Sequence, residues 1–318
     1  MQNYLARRLL YAVPTVLATT ALVFIAMRIM PGDILAAMLG EEGAGLLSEA
    51  DRQIMMAKLG LDEPIHMQFL TWLWDIVRLD LGESFFKGYS NTDLLVNRAP
   101  VTIQIAIMAV IFAWVVGIPV GILAALKQNT PLDYVARFST ILFLATPNFW
   151  LASLVVLTYV LVFNWMPPIV VVMPWENPWQ NLQQTALPAV VLGSSASATI
   201  ARMTRSMLLE VVREDYVRTA RAQGLTEWTV ILVHALRNAL LPVITLSGLL
   251  MGSLMGGSVV VEVAFNVQGL GTTMIDAITE RDFLLVQNLV LIYAFVFLFA
   301  NMAVDVAYAW IDPRIHYE

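Results

Sequence analysis

Metal, nucleophilic and nucleotide chemistry each need particular side chains at particular spacings, and this 318-residue chain supplies few of them. It has no cysteine, which removes disulfides, iron–sulfur clusters and thiolate metal sites. The three histidines, His66, His234 and His316, are far apart and form no ligand spacing. No lysine is followed by serine or threonine, so the phosphate-cradling G-x-x-x-x-G-K-[ST] loop is absent. G-x-S-x-G, H-E-x-x-H and dinucleotide fingerprints are absent as well. No catalytic residue, metal site or directly bound cofactor is therefore expected. With a net charge of −6 and no basic stripe, nucleic acid is not an expected partner either. What remains is polarity in apolar surroundings, namely Ser194, Ser195, Ser197 and Thr199, and a charged run from Glu210 to Arg221.

The elements that position those residues are membrane spans. Hydrophobic residues make up 59% of the chain and charged residues 13%, against roughly 25% charged in an ordinary globular chain. Mean hydropathy is +0.73. A bilayer crossing takes ~20 mostly apolar residues, and six stretches qualify: Leu9–Ile29, Val101–Leu126, Phe138–Trp165, Asn177–Ala201, Leu240–Val261 and Phe283–Val304. The first follows Arg7 and Arg8, as a signal peptide would. Its apolar run is too long and no small-residue cleavage site follows, so it reads as a retained anchor. The fourth is the weakest, because Gly193, Ser194, Ser195, Ser197 and Thr199 occupy its second half. That face is expected to pack on another helix or to line a polar path. In the fifth, Gly248, Gly252 and Gly256 recur every four residues, a spacing that lets a second helix approach closely. Arg28 and Asp305 lie near span ends, where snorkelling or an interface partner accounts for them.

Orientation follows from lysine and arginine. With the N-terminus inside, the inner segments hold Arg7, Arg8, Lys127, Arg137, Arg202, Arg205, Arg213, Arg218, Arg221, Arg237 and Arg314. The outer segments hold fewer, mostly in one long loop: Arg52, Lys58, Arg78, Lys87, Arg98 and Arg281. Both termini are thus expected in the cytoplasm. The chain divides into a first segment and span (1–30), an external loop (31–100), a transmembrane domain (101–310) containing a cytoplasmic loop (202–238), and a tail (311–318). The external loop is acidic, and Leu70, Trp72, Leu73, Trp74, Ile76 and Val77 predict a helix lying on the membrane surface. The cytoplasmic loop predicts a helix, a break at Gly224, and a new helix capped by Thr226 with Glu227 in its first turn. Trp228, Ile231, Leu232 and Ala235 would share one face of that second helix.

In order along the chain, several further pieces are read together. They are Tyr4-Leu-Ala-Arg-Arg-Leu-Leu, Pro31-Gly-Asp33, Leu59-Gly-Leu-Asp-Glu-Pro64, Leu79-Asp-Leu-Gly-Glu-Ser-Phe85, Gly117-Ile-Pro-Val-Gly-Ile-Leu-Ala-Ala125, Ala145-Thr-Pro-Asn-Phe-Trp150 and Asp312-Pro-Arg314. With Tyr216-Val-Arg-Thr-Ala-Arg-Ala-Gln-Gly-Leu225, the chain resembles the inner-membrane permease subunits of binding-protein-dependent ABC importers. The likeness is to the dipeptide/oligopeptide/nickel branch, and within it to the first of the two permeases. The Tyr216–Leu225 run looks like the loop by which such permeases meet their ATPases, with Arg218-Thr219-Ala220 standing at Glu-Ala-Ala and Gly224 kept. Arg218 replaces the glutamate, and Leu236-Arg237 replaces the usual leucine-proline.

The resemblance implies an all-α integral membrane fold of the type I ABC importer permease kind, with six transmembrane helices and an external helical cap. It implies a non-catalytic subunit in a bacterial or archaeal inner membrane. Its partners would be a second permease subunit, two ATPase subunits that use the ATP, an extracytoplasmic solute-binding protein and membrane lipid. Arg218, Thr219, Ala220, Arg221 and Gly224 are the implied ATPase-coupling residues. Asn148, Ser194, Ser197 and Ser253 are the expected path-lining residues. The rival readings are a channel or a secondary transporter without ATPase partners, and a membrane scaffold.

Overall fold

A computed structural model describes residues 2–29, 48–58, 61–84, 88–166, 168 and 172–311. The Pro31–Asp33, Leu59-Gly60, Phe85 and Asp312–Arg314 pieces, the first part of the external loop and the tail lie outside the described residues. The described chain is helical: α1 (Gln2–Ile29), α2 (Glu49–Lys58), α3 (Ile65–Val77), α4 (Asn91–Leu126), α5 (Pro131–Ala145), α6 (Asn148–Phe163), α7 (Pro178–Val211), α8 (Asp215–Ala222), the short α9 (Glu227–Thr229), a π-helical turn (Val230–Ala235), α10 (Leu236–Phe265), α11 (Leu270–Thr279) and α12 (Phe283–Ile311). The residues group into two compact units, 1–99 with 272–296, and 100–271 with 297–318.

In the first unit, α3 forms where the external loop predicts a surface helix. It is anchored by Trp72, whose ring stacks on Phe24 at 6.0 Å and whose Nε1 donates to Asn288 Oδ1 at 3.3 Å. Leu70, Trp74 and Val77 stay exposed on its other side. Arg28 has found an interface partner: its guanidinium lies 4.5 Å over the Phe24 ring and donates twice to Gln68 Oε1, at 3.0 and 2.9 Å. Ser84 donates to Asp282 Oδ2 at 2.6 Å, and Asn288 Nδ2 donates to the Leu81 carbonyl at 2.7 Å. The cap segment is therefore held by buried side-chain bonds and is more than a tether.

Among the described residues, four helices are long and apolar enough to cross a membrane: Asn91–Leu126, Pro178–Val211, Glu227–Phe265 and Phe283–Ala303. The described apolar part of α1 is shorter, Val13–Ile29, although its 28 helical residues reach ~40 Å at 1.5 Å per residue. The stretch Phe138–Trp165, expected as one span, is instead α5 and α6, bent by 99°. The cause is local. Pro147 has no N–H to donate back into α5, and the residue before a proline is driven out of the helical region. Thr146 accordingly takes φ −84°, ψ 119°.

The second unit is built around α7. It is the least apolar of the crossing helices, and 61% of its most apolar window is buried, against 33% for α4. Glycines on both helices, Gly117 and Gly121 of α4 and Gly193 of α7, let the two approach closely. A Cβ on Gly117 would lie 2.5 Å from the Ser197 carbonyl oxygen, one on Gly121 2.6 Å from that of Ala201, and one on Gly193 2.7 Å from that of Ala109. At these distances a methyl group would collide with backbone, so the helices touch main chain to main chain. The glycine ladder of α10 contributes less than its spacing promised. Gly252 accommodates the Phe297 ring, while a Cβ on Gly256 would meet nothing within 4 Å.

The α10 span also holds an ionisable side chain one residue past the apolar run that marked it. Glu262 is fully buried. Its Oε1 accepts from Thr102 Oγ1 at 2.7 Å and its Oε2 from the Gly271 N–H at 2.8 Å, while Thr102 Oγ1 accepts from the Leu270 N–H at 2.7 Å. Glu262 and Thr102 thus satisfy the Gly271 and Leu270 N–H donors at the start of α11, which have no acceptor within their own helix. Asn266, at φ +52°, makes the intervening turn.

Candidate functional site: the 202–238 loop and its seat

Past its apolar part α7 runs on to Val211, and after a short turn α8 begins at Asp215. Val217 and Ala220 turn inward, joining Ala125, Leu208, Val230, Ile231, Ala235 and Ala239 in a small apolar core of its own. This gives α8 a rigid seat despite its length of 8 residues, which alone is too short for a stable helix in water. Asn238 Nδ2 donates to the Tyr216 hydroxyl at 2.8 Å, tying α8 to the start of α10.

The break falls at Gly224, which has φ +79°. That backbone angle is open to glycine and strained for branched residues. No heavy atom lies within 4 Å of where a Cβ would be, so the demand for glycine is conformational and not a matter of space. Thr226 caps the next helix as expected, its Oγ1 accepting from the Thr229 N–H at 3.4 Å.

Arg221 clamps the turn from both sides. Its guanidinium donates to Glu227 Oε1 at 2.7 Å and Oε2 at 3.1 Å, and to the Val212 carbonyl at 3.4 Å. The hydrogen bond to Glu227 holds its pKa further above the usual arginine value. Arg218 makes a looser exposed pair with Asp215 at 3.3 Å.

Of the five implied coupling residues, Arg218, Thr219 and Gly224 are exposed, Arg221 is half-buried and Ala220 is buried beneath α8. The expected common face of Trp228, Ile231, Leu232 and Ala235 is split. Ile231 and Ala235 are buried, whereas Trp228 and Leu232 are exposed. The π turn at Val230–Ala235 is the reason, because its wider i→i+5 pitch moves the register off the 3.6-residue period. As a result Leu225, Trp228, Leu232 and Val233 stand in the open beside α8. Reading the helix as regular hid this apolar patch, and the sequence carries no mark of the π turn.

The expected path residues are dispersed. Ser194 and Ser197 are buried, and their hydroxyls donate to carbonyls of their own helix, Val190 at 2.6 Å and Ser194 at 2.7 Å. Ser253 is on the exposed side of α10. Asn148 opens α6 just after the bend, and its Nδ2 lies 3.7 Å from where a Gly257 Cβ would be. Leu192 comes to the same point at 3.2 Å, so α6, α7 and α10 converge there. Among the described residues, no group of three or more His, Cys, Asp or Glu could hold a metal ion.

Two family models match this chain. One is described as "Binding-protein-dependent transport system inner membrane component" and covers residues 117–317. The other, covering residues 1–106, is the N-terminal part of such a membrane component. The chain is 37% identical over 320 residues to the "Oligopeptide transport system permease protein AppB" of Bacillus subtilis, covering all of both chains. It is also 37% identical over 341 residues to the "Dipeptide transport system permease protein DppB" of Escherichia coli K12, again covering both completely. Among solved structures it is similar to a chain of the inward-facing MetNI methionine ABC transporter, with a TM-score of 0.56 and 19% identity. That match covers 69% of this chain and 96% of the other. A chain of an amino acid ABC transporter matches at a TM-score of 0.53 and 17% identity, over 69% and 94%. These structural likenesses establish a shared fold.

Proposed function

The chain belongs to the inner-membrane components of binding-protein-dependent transport systems, and from that premise we propose that it carries di- or oligopeptides as one of two unlike permease subunits. Peptide cargo is favoured by the full-length similarity to permeases named for oligopeptide and dipeptide transport. In this reading the chain binds no cofactor and catalyses nothing itself. Two ATPase subunits supply the energy, and a solute-binding protein delivers substrate to the external segment 31–100. Both termini and the 202–238 loop face the cytoplasm.

The observation that carries the coupling role is the seated α8 with its Gly224 turn. A short helix with a core of its own, a clamped turn and an exposed flank of Arg218, Thr219, Leu225 and Trp228 offers a stiff surface to a protein partner. Buried aromatic and arginine anchors dominate protein interfaces, and Trp228 and Arg218 are the anchors available here. The path follows the converging faces of α6, α7 and α10 near Asn148 and Ser253. Ser194 and Ser197 lie on α7 beside it, bonded to their own backbone.

Purification of the tagged chain from native membrane tests this. ATPase subunits and a second permease are expected to co-purify, and Trp228→Ala with Arg218→Ala is expected to reduce ATPase retention at least tenfold. A chain that purifies alone and drives uptake in vesicles without ATP would instead support a channel or secondary transporter.

A further inference from the structure

A cleft of about 390 Å³ opens between α4, α5 and α7 in the second unit. Its walls are of two kinds. Val120 and Ile141 make part of it apolar, while Arg137, Arg202, Arg205 and Ser206 bring polar groups to it. Arg205 is already engaged: its Nε and Nη2 donate to the two oxygens of Asp133 at 2.8 and 2.9 Å. Asp133 is itself fully buried and also accepts from the Asn129 N–H at 3.0 Å. Arg137 and Arg202 are exposed, and among the described residues neither has a carboxylate within ion-pair distance. Arg137 has an aromatic neighbour, the Tyr134 ring at 5.9 Å. Three guanidinium groups therefore face one carboxylate, and the cleft keeps an excess of positive charge.

The level of the cleft identifies its occupant. Arg202 and Arg205 follow directly on the apolar stretch of α7 that ends at Ala201, and Arg137 precedes the apolar stretch of α5. These are the positions at which headgroups of a bilayer lie. Beyond the arginines the exposed face of α5 continues with Phe138, Ile141 and Leu142, which suits acyl chains and not a solvated ion. Guanidinium groups match phosphate oxygens in a two-pronged fashion, and basic pockets between spans hold anionic headgroups.

We propose that this cleft is a binding site for one anionic phospholipid, whose phosphate is held by Arg137 and Arg202 while its chains lie along α5. Arg205 acts as the fixed wall, locked in place by Asp133. The site is independent of which solute the transporter carries.

Native mass spectrometry of the purified transporter complex, titrated with phosphatidylglycerol or with phosphatidylcholine of the same chains, tests it. Wild type is expected to retain one more phosphatidylglycerol per permease than the Arg137→Gln/Arg202→Gln variant, with at least a tenfold loss of affinity at that site. Phosphatidylcholine retention is expected to be equal in both. Arg137→Lys/Arg202→Lys, which keeps the charge, is expected to restore much of the binding, and an unchanged thermal midpoint in both variants excludes misfolding. Equal phosphatidylglycerol retention in wild type and the glutamine variant would overturn the proposal, as would equal preference for phosphatidylcholine. Displacement of the lipid by millimolar inorganic phosphate would assign the cleft to a free anion. A reagent attached at Ser206→Cys that crosslinks efficiently to the second permease would show that protein covers the cleft.

Discussion

Two turns in the second unit each carry an acidic side chain that bridges the turn, and they differ in how deeply it lies. At the first, the Glu262 carboxylate is fully buried and grips the start of α11 through the Gly271 N–H and Thr102. At the second, Arg221 reaches across the Gly224 break to Glu227, with both side chains substantially open to solvent. A buried hydrogen-bonding group deprived of its partner carries its full desolvation penalty, whereas an exposed ion pair is screened by water and salt. The first turn is thus built into the fold. The second is kept in shape by backbone geometry, with the ion pair as a modest addition, which suits the coupling surface proposed for it.

The largest expected effect is at the buried turn. Glu262→Ala leaves the Gly271 N–H without its acceptor and opens a cavity, and is expected to cost about 3 kcal/mol or more. Thermal unfolding of the detergent-purified transporter measures this as a clear fall in midpoint. Gly271→Ala is expected to act alike, because its Cβ would lie 2.5 Å from the Val259 Cα. A normal midpoint in both would remove the distinction between the turns.

An intermediate effect is expected at Gly224. A branched residue forced to φ +79° costs roughly 1–2 kcal/mol locally, so Gly224→Val should leave membrane insertion intact. Uptake and ATPase retention should fall together, since the Gly224 turn and the start of the following helix would shift. Gly224→Asn, which tolerates the left-handed region, should keep most of both. Wild-type uptake by the valine variant would show that the turn is free to change shape.

Smallest is the effect of Arg221→Ala on stability, about 0.2–1 kcal/mol for an exposed pair. Its signature is in the salt dependence. Raising salt should weaken ATPase retention in wild type more than in the variant, measured by co-purification across a salt series. Equal salt dependence would place the clamp outside the coupling surface.

The elements differed in how openly the sequence announced them. The Gly224 break was legible because glycine and a Thr226 cap each have one conformational meaning, and the structure has both. The bend at Thr146-Pro147 was written just as plainly, as a proline after a residue that cannot stay helical before it, but an unbroken run of apolar side chains outweighed it. Glu262 escaped notice because it stands just beyond the run that defined its span. Its partners Thr102 and Gly271 are distant in sequence, so no local pattern joins them. The same holds for Asp133 and Arg205. The exposure of Trp228 could not be read at all, since it depends on a π turn that shifts the register of ordinary helix-forming residues. Candidate coupling residues sit in one local segment, which a local pattern can mark; candidate path residues depend on how several helices converge, which spacing alone does not encode.

The contacts at Gly117, Gly121 and Gly193 have a mechanical consequence. Where side chains separate two helices, rotamer changes let one slide against the other, and a push on one arrives at its neighbour softened. Here three carbonyl oxygens lie within 2.7 Å of where a methyl group would be, leaving no compliant side chain between α4 and α7 at those points. The two behave as a single stiff beam, and the beam ends at Leu208 and Ala125, on which α8 is seated. If α8 is the coupling helix proposed above, a displacement imposed on it would reach α4 and α7 together through this shared core. The 99° corner between α5 and α6, by contrast, interrupts the helical hydrogen-bond ladder and gives the chain a place to flex.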